Sequence, residues 1–459
     1  MECIKLIGPV SITNRPCRKG SVYILVYMFI LVCLGTASCG LTRRVASQAE
    51  KILLKDSAIS TGFIGISIYE PATGKYWYNY NATKYFIPAS NTKLFTLYAG
   101  MKYLGDSLLS ATIMEDAGFI YLFPNADPSF LNTEFGYQPL LQLLKQTDKK
   151  IIINDSAWKE NALGYGWAWD DYNDDYMAER SPLPIFGNVL TASSTASIIN
   201  IRPRFFASRF IWDSGRKQQD FMNAVRRERN QNIFHVKSGP DKNSHFTIPF
   251  ITNEGGTVYR VLEDELGKQI TTDRNYWPSE TKPVRHRIFS QPTDSLFKPM
   301  MHRSDNFFAE QTLLMVSNQH LGYMKDEPII DTLLKYDLKE SPQKPQWVDG
   351  SGLSRYNLFT PQSFIYVLNK MRNEFGWERL KIILPTGGEG TLRSYYKKDS
   401  SFIYAKTGTL SNNCALSGFL MTKRGKSLIF SILANHYVTA ATPVRKAVER
   451  FLEMIRENH

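Results

Sequence analysis

A serine hydroxyl becomes a nucleophile when a neighbouring base can take its proton, and a lysine three residues further along a helix brings its amine beside that hydroxyl. Ser90-Asn91-Thr92-Lys93 has this spacing. The same Ser-x-x-Lys string begins at Ser156, Ser214, Ser279, Ser295, Ser341 and Ser394, so spacing alone selects nothing. Context sets Ser90 apart. Pro88 and a hairpin-like stretch precede it and a long helical pattern follows, so its hydroxyl falls at a helix N-terminus, where the backbone dipole stabilises developing negative charge. Ser304-Asp305-Asn306 supplies a hydroxyl able to relay protons and a carboxamide able to hold a peptide group. The same pattern at Ser411-Asn412-Asn413 reads as a plain turn. Lys406-Thr407-Gly408-Thr409 closes a predicted strand, and Lys-Thr-Gly occurs nowhere else in the chain. A cation and hydroxyls on a strand edge suit a carboxylate, and the glycine admits close backbone approach.

Elements must bring these three stretches together. Phe63 to Tyr69 and Tyr76 to Tyr78 alternate like strands around the turn Pro71-Ala72-Thr73-Gly74, which predicts a hairpin. Leu94, Tyr98, Met101 and Leu104 recur at helical spacing and stop at Gly105. Near the C-terminus, strand-like runs Phe402 to Lys406, Leu416 to Thr422 and Leu428 to Asn435 precede a helix predicted to start with Thr442 as N-cap and Pro443 at its first position. An antiparallel sheet backed by terminal helices results. From about 106 to 285 the texture changes to short strands, such as Phe119 to Leu122 and Ile151 to Ile153, and aromatic-rich loops, which reads as inserted material. The acidic run 170–175 lacks the glycine and terminal glutamate of a calcium loop and reads as a solvated loop.

The chain has 459 residues and, with 43% apolar, 13% aromatic and 21% charged residues, the balance of an ordinary globular protein of more than one domain. Its formal charge of +12 is spread without a dense Lys/Arg block, so no nucleic acid is expected as partner. Of five cysteines, only Cys414 lies beyond residue 39, which excludes an intrachain disulfide in the body and leaves Cys414 as a small buried residue. His302, two residues before Ser304, reads as packing or surface. Arg15, Arg18 and Lys19 precede an apolar run from Val22 to Leu34, shorter than the ~20 residues of a membrane-spanning helix and suited to a signal peptide. That run ends in Thr36-Ala37-Ser38-Cys39, which resembles a bacterial lipoprotein cleavage site with Cys39 as the lipidated first residue. Ordinary cleavage near Ser38 and an uncleaved anchor are the alternatives. Each version exports the protein.

The ordered trio Ser-x-x-Lys, Ser-x-Asn, Lys-Thr-Gly resembles that of penicillin-binding proteins and serine β-lactamases. Flanking residues narrow the resemblance to the D-alanyl-D-alanine carboxypeptidase/endopeptidase family of class C low-molecular-mass penicillin-binding proteins. They are Pro88 to Leu94, Ser304-Asp305-Asn306 with Ala309-Glu310, Asp349 to Arg355, and Gly390-Thr391-Leu392. The resemblance runs from about residue 55 to the end. It implies an α/β (multidomain α+β) fold: an antiparallel sheet flanked by helices, a transpeptidase-like domain holding two smaller inserted domains. The boundaries expected are 1–38 signal peptide, 39–105 and 286–459 catalytic, and 106–285 inserted.

It further implies a periplasmic enzyme that trims peptidoglycan stem peptides, is acylated by β-lactams and needs no cofactor or metal; the string ending in Cys39 adds a membrane anchor by lipid as one of its open readings. By position, Ser90 is the nucleophile, Lys93 its base, Ser304 the relay to the leaving amine and Asn306 the peptide holder. Lys406, Thr407, Gly408 and Thr409 bind the terminal carboxylate, and the Ser90 and Thr409 amides form the oxyanion hole. For a diaminopimelate side chain, Asp155 would face the amine, Arg355 the carboxylate and Leu410 the methylenes. Read without the resemblance, these three are equally a turn cap, a surface ion pair and a core residue. A serine β-lactamase and a non-catalytic wall-binding lipoprotein of the same fold are the rival functions.

Overall fold

The computed structural model describes residues 42–116, 118–195, 198–213, 225–237, 245–253, 255–275 and 284–459. Cys39 and the segment 1–38 lie outside the described residues.

After a helical segment at 42–54, β1 (Phe63–Glu70) and β2 (Lys75–Tyr80) form the expected hairpin. Helix α1 (Lys93–Tyr103) follows. The apolar spacing predicted a single stripe on α1, but the helix is buried nearly all round from Lys93 to Met101, because neighbouring helices enclose it on several sides. The chain then builds β3 (Ser107–Glu115), β4 (Phe119–Pro124), α2 (Pro139–Gln146) and β5 (Lys150–Ile153). Next come β6 (Val189–Thr195), β7 (Ile198–Arg202), β8 (Phe210–Asp213), β9 (Val225–Arg227), β10 (Phe234–Lys237) and β11 (His245–Pro249). Helix α3 (Gly256–Leu266), β12 (Ile270–Thr272) and β13 (Val284–Pro292) complete this middle region. Its main sheet is mixed, in the order β12-β5-β4-β3-β13, and it carries two three-stranded sheets, β11-β6-β7 and β8-β10-β9. Ala111, Ile113, Ile120, Leu122, Ile151 and Ile153 bury with Val258 and Leu262 of α3 in a core of their own.

Four helices follow and return the chain to the first unit: α4 (Thr293–His302), α5 (Asn306–Leu321), α6 (Asp326–Lys335) and α7 (Pro361–Phe375). The short α8 (Trp377–Ile383) leads to β14 (Ile403–Leu410), β15 (Asn413–Met421), β16 (Ser427–Asn435) and α9 (Ala441–Asn458). These strands close a five-stranded antiparallel sheet, β14-β15-β16-β1-β2. Strand β14 runs on through Leu410, so Lys-Thr-Gly lies inside a strand predicted to end at Lys406, with Lys406 opposite Ser417 and Thr409 opposite Cys414. Helix α9 starts at Ala441 without a side-chain cap, so Thr442 is not its N-cap; Pro443 remains in the first turn, where its missing N–H removes no helix bond.

Helices cover both faces of this sheet. On one, Phe95, Leu313, Phe364 and Val367 pack towards Phe419, Ile429 and Leu433. On the other, Val444, Val448, Phe451 and Leu452 of α9 join Val45, Ala49 and Leu53 over Leu416, Phe430 and Ile432. Each fully buried Val, Leu, Ile or Phe among them contributes about 1.5–3 kcal/mol, and the sheet they pack carries β14 alongside the turn that bears Ser90.

Candidate active site

The turn bearing Ser90 is strained. Ala89 sits at φ 48°, a left-handed conformation that L-residues avoid, and the 3₁₀ turn Ala89–Thr92 then feeds α1. Two glycines let other backbone crowd this turn. A Cβ at Gly352 would lie 2.0 Å from the Ala89 carbonyl oxygen, and one at Gly408 would lie 2.5 Å from the Pro88 oxygen. The Asn91 carboxamide ties the turn to β14 by donating 2.9 Å to the Lys406 carbonyl.

Lys93 Nζ lies 3.0 Å from Ser90 Oγ, 2.5 Å from Asn306 Oδ1 and 2.7 Å from the Ser351 carbonyl. Its side chain is fully buried. Burial draws the amine down to about 8, against the opposing pull of Asp349, Glu310 and Asp305. Lys406 is buried as completely, and its Nζ donates 2.7 Å to Ser304 Oγ and 2.7 Å to the Thr407 carbonyl. Burial first, then the charges of Lys93 and Arg445, hold it well below the ordinary lysine range.

Ser304 occupies the loop between α4 and α5 at φ 63°. Asp305 caps α5 by accepting 2.9 Å from the Phe308 N–H, and burial raises its carboxyl. Asn306 therefore begins α5 with its carboxamide fixed at both ends. Its oxygen meets Lys93, and its nitrogen donates 2.9 Å to the Tyr176 carbonyl, in the loop that follows the acidic run. The three distant stretches thus converge, and Ser90, Ser304, Thr391, Thr407, Thr409 and Arg445 line one groove of about 610 Å³.

A second set of residues holds the first. Ser351 N–H donates 2.7 Å to Glu310 Oε1, and Glu310 Oε2 accepts 3.2 Å from Arg180, which also pairs with Asp326. Burial, reinforced by Asp349, pushes Glu310 up to about 7. Asp349 accepts from the Gly352 and Ser354 amides, the Asn357 carboxamide and the Trp167 indole at 2.7–2.9 Å. These bonds aim the Ser351 carbonyl at Lys93. Glu310 and Thr391 belong to sequence stretches that stood out without a role. The Ser351 and Tyr176 carbonyls and Arg445 of α9 left no sequence signal.

Asp155 requires a correction. Its carboxylate is buried and already engaged: Tyr259 donates 2.6 Å to Oδ2, and Arg274 donates 2.7 Å to Oδ1 and 3.3 Å to Oδ2. At 2% exposure, and paired in this way, the carboxylate is closed off from a substrate amine, and Asp155 serves as a structural member of the middle region. Arg355 is exposed, and its guanidinium favours ionised Asp171 in the acidic run. Leu410 is half-buried at the end of β14. Cys414 is buried on β15, as expected, and burial raises its thiol pKa. His302 is half-buried, and burial together with Lys298 favours its neutral form.

The profile of the D-Ala-D-Ala carboxypeptidase 3 (S13) family matches residues 45–455. A D-alanyl-D-alanine carboxypeptidase DacB of Haemophilus influenzae is 26% identical over 407 residues, covering 79% of this chain and 83% of its own. A penicillin-sensitive carboxypeptidase A of Dictyostelium discoideum is 22% identical over 457 residues, covering 84% and 85%. The crystal structure of penicillin binding protein 4 from Haemophilus influenzae superposes with a TM-score of 0.72 at 19% identity, covering 90% of this chain and 99% of that one.

Proposed function

From the premise that the chain belongs to the D-Ala-D-Ala carboxypeptidase 3 (S13) family and is a serine D-Ala-D-Ala carboxypeptidase, we propose that it works through an acyl-enzyme on Ser90. One observation carries this reading. Of the three groups around Lys93 Nζ, the Asn306 and Ser351 oxygens can only accept. A neutral amine has two protons and one lone pair, so both protons go to those oxygens. The lone pair is left for the Ser90 hydroxyl, 3.0 Å away. Lys93 is therefore oriented as a base, with a pKa of about 8 that leaves a useful neutral fraction near neutral pH.

Ser90 Oγ attacks the carbonyl carbon of the penultimate D-alanine as its proton passes to Lys93. The Ser90 and Thr409 amides receive the oxyanion; losing one such donor typically costs ~100- to 1,000-fold in rate. Ser304, hydrogen-bonded by Lys406, relays the proton that Lys93 took from Ser90 to the departing D-alanine amine, so Lys93 is neutral again to take a proton from the water that cleaves the ester. Asn306 holds the peptide, and Thr407 and Thr409 face the terminal carboxylate. β-Lactams, whose ring mimics the same terminus, acylate Ser90. The substrate is a peptidoglycan stem peptide or cross-link outside the cytoplasm, with the enzyme exported and lipid-anchored at Cys39. Residues 39–105 and 286–459 form the catalytic unit around an inserted 106–285. Arg355 meets the carboxylate of a diaminopimelate side chain and Leu410 its methylenes.

Mass spectrometry after incubation with penicillin tests the core of this. Wild type gains one adduct, Ser90→Ala none, and an adduct that survives the substitution refutes the assignment. Diaminopimelate muropeptides digested alongside read the rest: wild type releases D-alanine or splits dimers, and Arg355→Ala slows on these more than on plain D-Ala-D-Ala peptides. Fatty-acid labelling that survives Cys39→Ser would exclude the anchor.

A further inference from the structure

The amine expected to hold the substrate's terminal carboxylate, Lys406, is poorly suited to it. It is fully buried, both its contacts are internal, and its surroundings disfavour the ammonium form. A carboxylate entering the groove needs a cation that stays charged and points into it. Of the groove-lining guanidiniums, Arg303 is engaged by Glu134 at 2.7 Å and Asp305 at 3.3 Å. Arg445 differs. It stands in the first turn of α9, lines the groove with Ser90 and Thr407, and its Nη2 donates to Thr409 Oγ1 on β14. Among the described residues it makes no ion pair. Its guanidinium also faces the Tyr395 hydroxyl and the Cys414 thiol, which fix its direction without bringing a carboxylate to it. An arginine keeps its charge at any working pH and offers several N–H donors in a planar fork.

We propose that Arg445 is the specificity residue that clamps the free C-terminal carboxylate of the substrate, bridging it to the Thr409 and Thr407 hydroxyls, while Lys406 serves only Ser304. The inference deepens the acyl-enzyme reading and rests on it. A carboxylate gripped by Arg445 is anchored on the leaving-group side of the scissile bond, with that carbonyl over Ser90. The enzyme then selects chains that end in a free acid. A terminal carboxamide, matched to the same fork but uncharged, forfeits the charge-assisted bonds.

The test uses an acyl-L-Lys-D-Ala-D-Ala tripeptide and its C-terminal carboxamide, with wild type, Arg445→Gln, Arg445→Lys and Arg393→Ala. Wild type prefers the acid. Arg445→Gln loses about 10- to 100-fold in kcat/KM on the acid, the worth of a charged hydrogen-bond pair, and less than about threefold on the amide. Arg445→Lys, with a charge but no fork, falls between, and it carries the test should the glutamine variant fail to fold. Equal losses on both peptides would mean that Arg445 only braces β14, and an undiminished acid preference would mean that it does not touch the carboxylate. Either overturns the clamp, as does loss of the preference in Arg393→Ala, the third arginine lining the groove. A saturating penicillin adduct separates this from the mechanism itself. Arg445→Gln that is still acylated at Ser90 but blind to the acid supports the clamp, whereas wild type without an adduct sinks the mechanism and the clamp with it.

Discussion

The groove and the middle region both bury charge, and they do so in opposite ways. In the middle region Asp155 meets a direct countercharge, Arg274, and a hydroxyl, Tyr259, and the ion pair is closed. In the groove, Lys93 and Lys406 are buried deeper still, yet their nearest partners are hydroxyls, carbonyls and a carboxamide. The carboxylates that favour the Lys93 ammonium act from behind, as Glu310 does through the Ser351 backbone. A closed pair serves stability. An amine desolvated without a direct countercharge is held near neutrality, which costs stability and supplies a base. Within the groove, Ala89 and Ser304 take left-handed backbone at the two hydroxyl-bearing turns.

The largest effect expected from this contrast is that of Lys93→Met. Removing a general base costs about 100- to 10,000-fold in kcat. Because methionine fills most of the space without a buried amine, thermal unfolding should stay level or rise. A variant that lost stability in proportion to activity would show that Lys93 holds the groove together, and the contrast would fail.

Glu310→Gln sharpens the same point through pH. The Lys93 base must be neutral, so kcat/KM climbs as pH rises through about 8. Charged Glu310 favours the Lys93 ammonium, and glutamine removes that pull while still accepting from the Ser351 N–H. The Lys93 pKa then drops further and the acid limb moves to lower pH. Arg180 keeps Asp326 and Glu160 as partners. A limb that stayed in place or moved up would show that Glu310 does not reach Lys93 electrostatically.

Much of this was legible in the sequence for a physical reason. A nucleophile and base one helical turn apart, and a hydroxyl, carboxamide and Lys-Thr-Gly on short continuous stretches, are local patterns. The strands and terminal helix that carry them announce themselves by periodicity. What stayed hidden is what tertiary contact supplies. Nothing in the string marks the Ser351 and Tyr176 carbonyls as acceptors, because every residue has one. Arg445 sits on an amphipathic helix where an arginine is unremarkable. Asp155 looked available because its partners Tyr259 and Arg274 lie more than a hundred residues on. Helix α1 looked one-sided because its small and aromatic residues pack against helices that arrive much later in the chain.

The smallest effect on activity, and the reverse sign on stability, is expected for Asp155→Ala. Its carboxylate accepts from Tyr259 and Arg274 inside the middle region. The substitution therefore leaves a buried hydroxyl unpaired, at about 1–3 kcal/mol. Arg274 is 52% exposed, so water recovers part of the loss on its side and keeps the cost towards the lower end. Hydrolysis of plain D-Ala-D-Ala peptides should change less than about threefold, under about 0.7 kcal/mol in the barrier, because Asp155 touches no reacting atom. Diaminopimelate muropeptides should follow the plain peptides, because the Asp155 carboxylate is buried behind its own partners. A selective loss on muropeptides at unchanged melting temperature would reopen Asp155 as a substrate contact, and the division between a closed pair that stabilises and an open amine that reacts would no longer map onto the two regions.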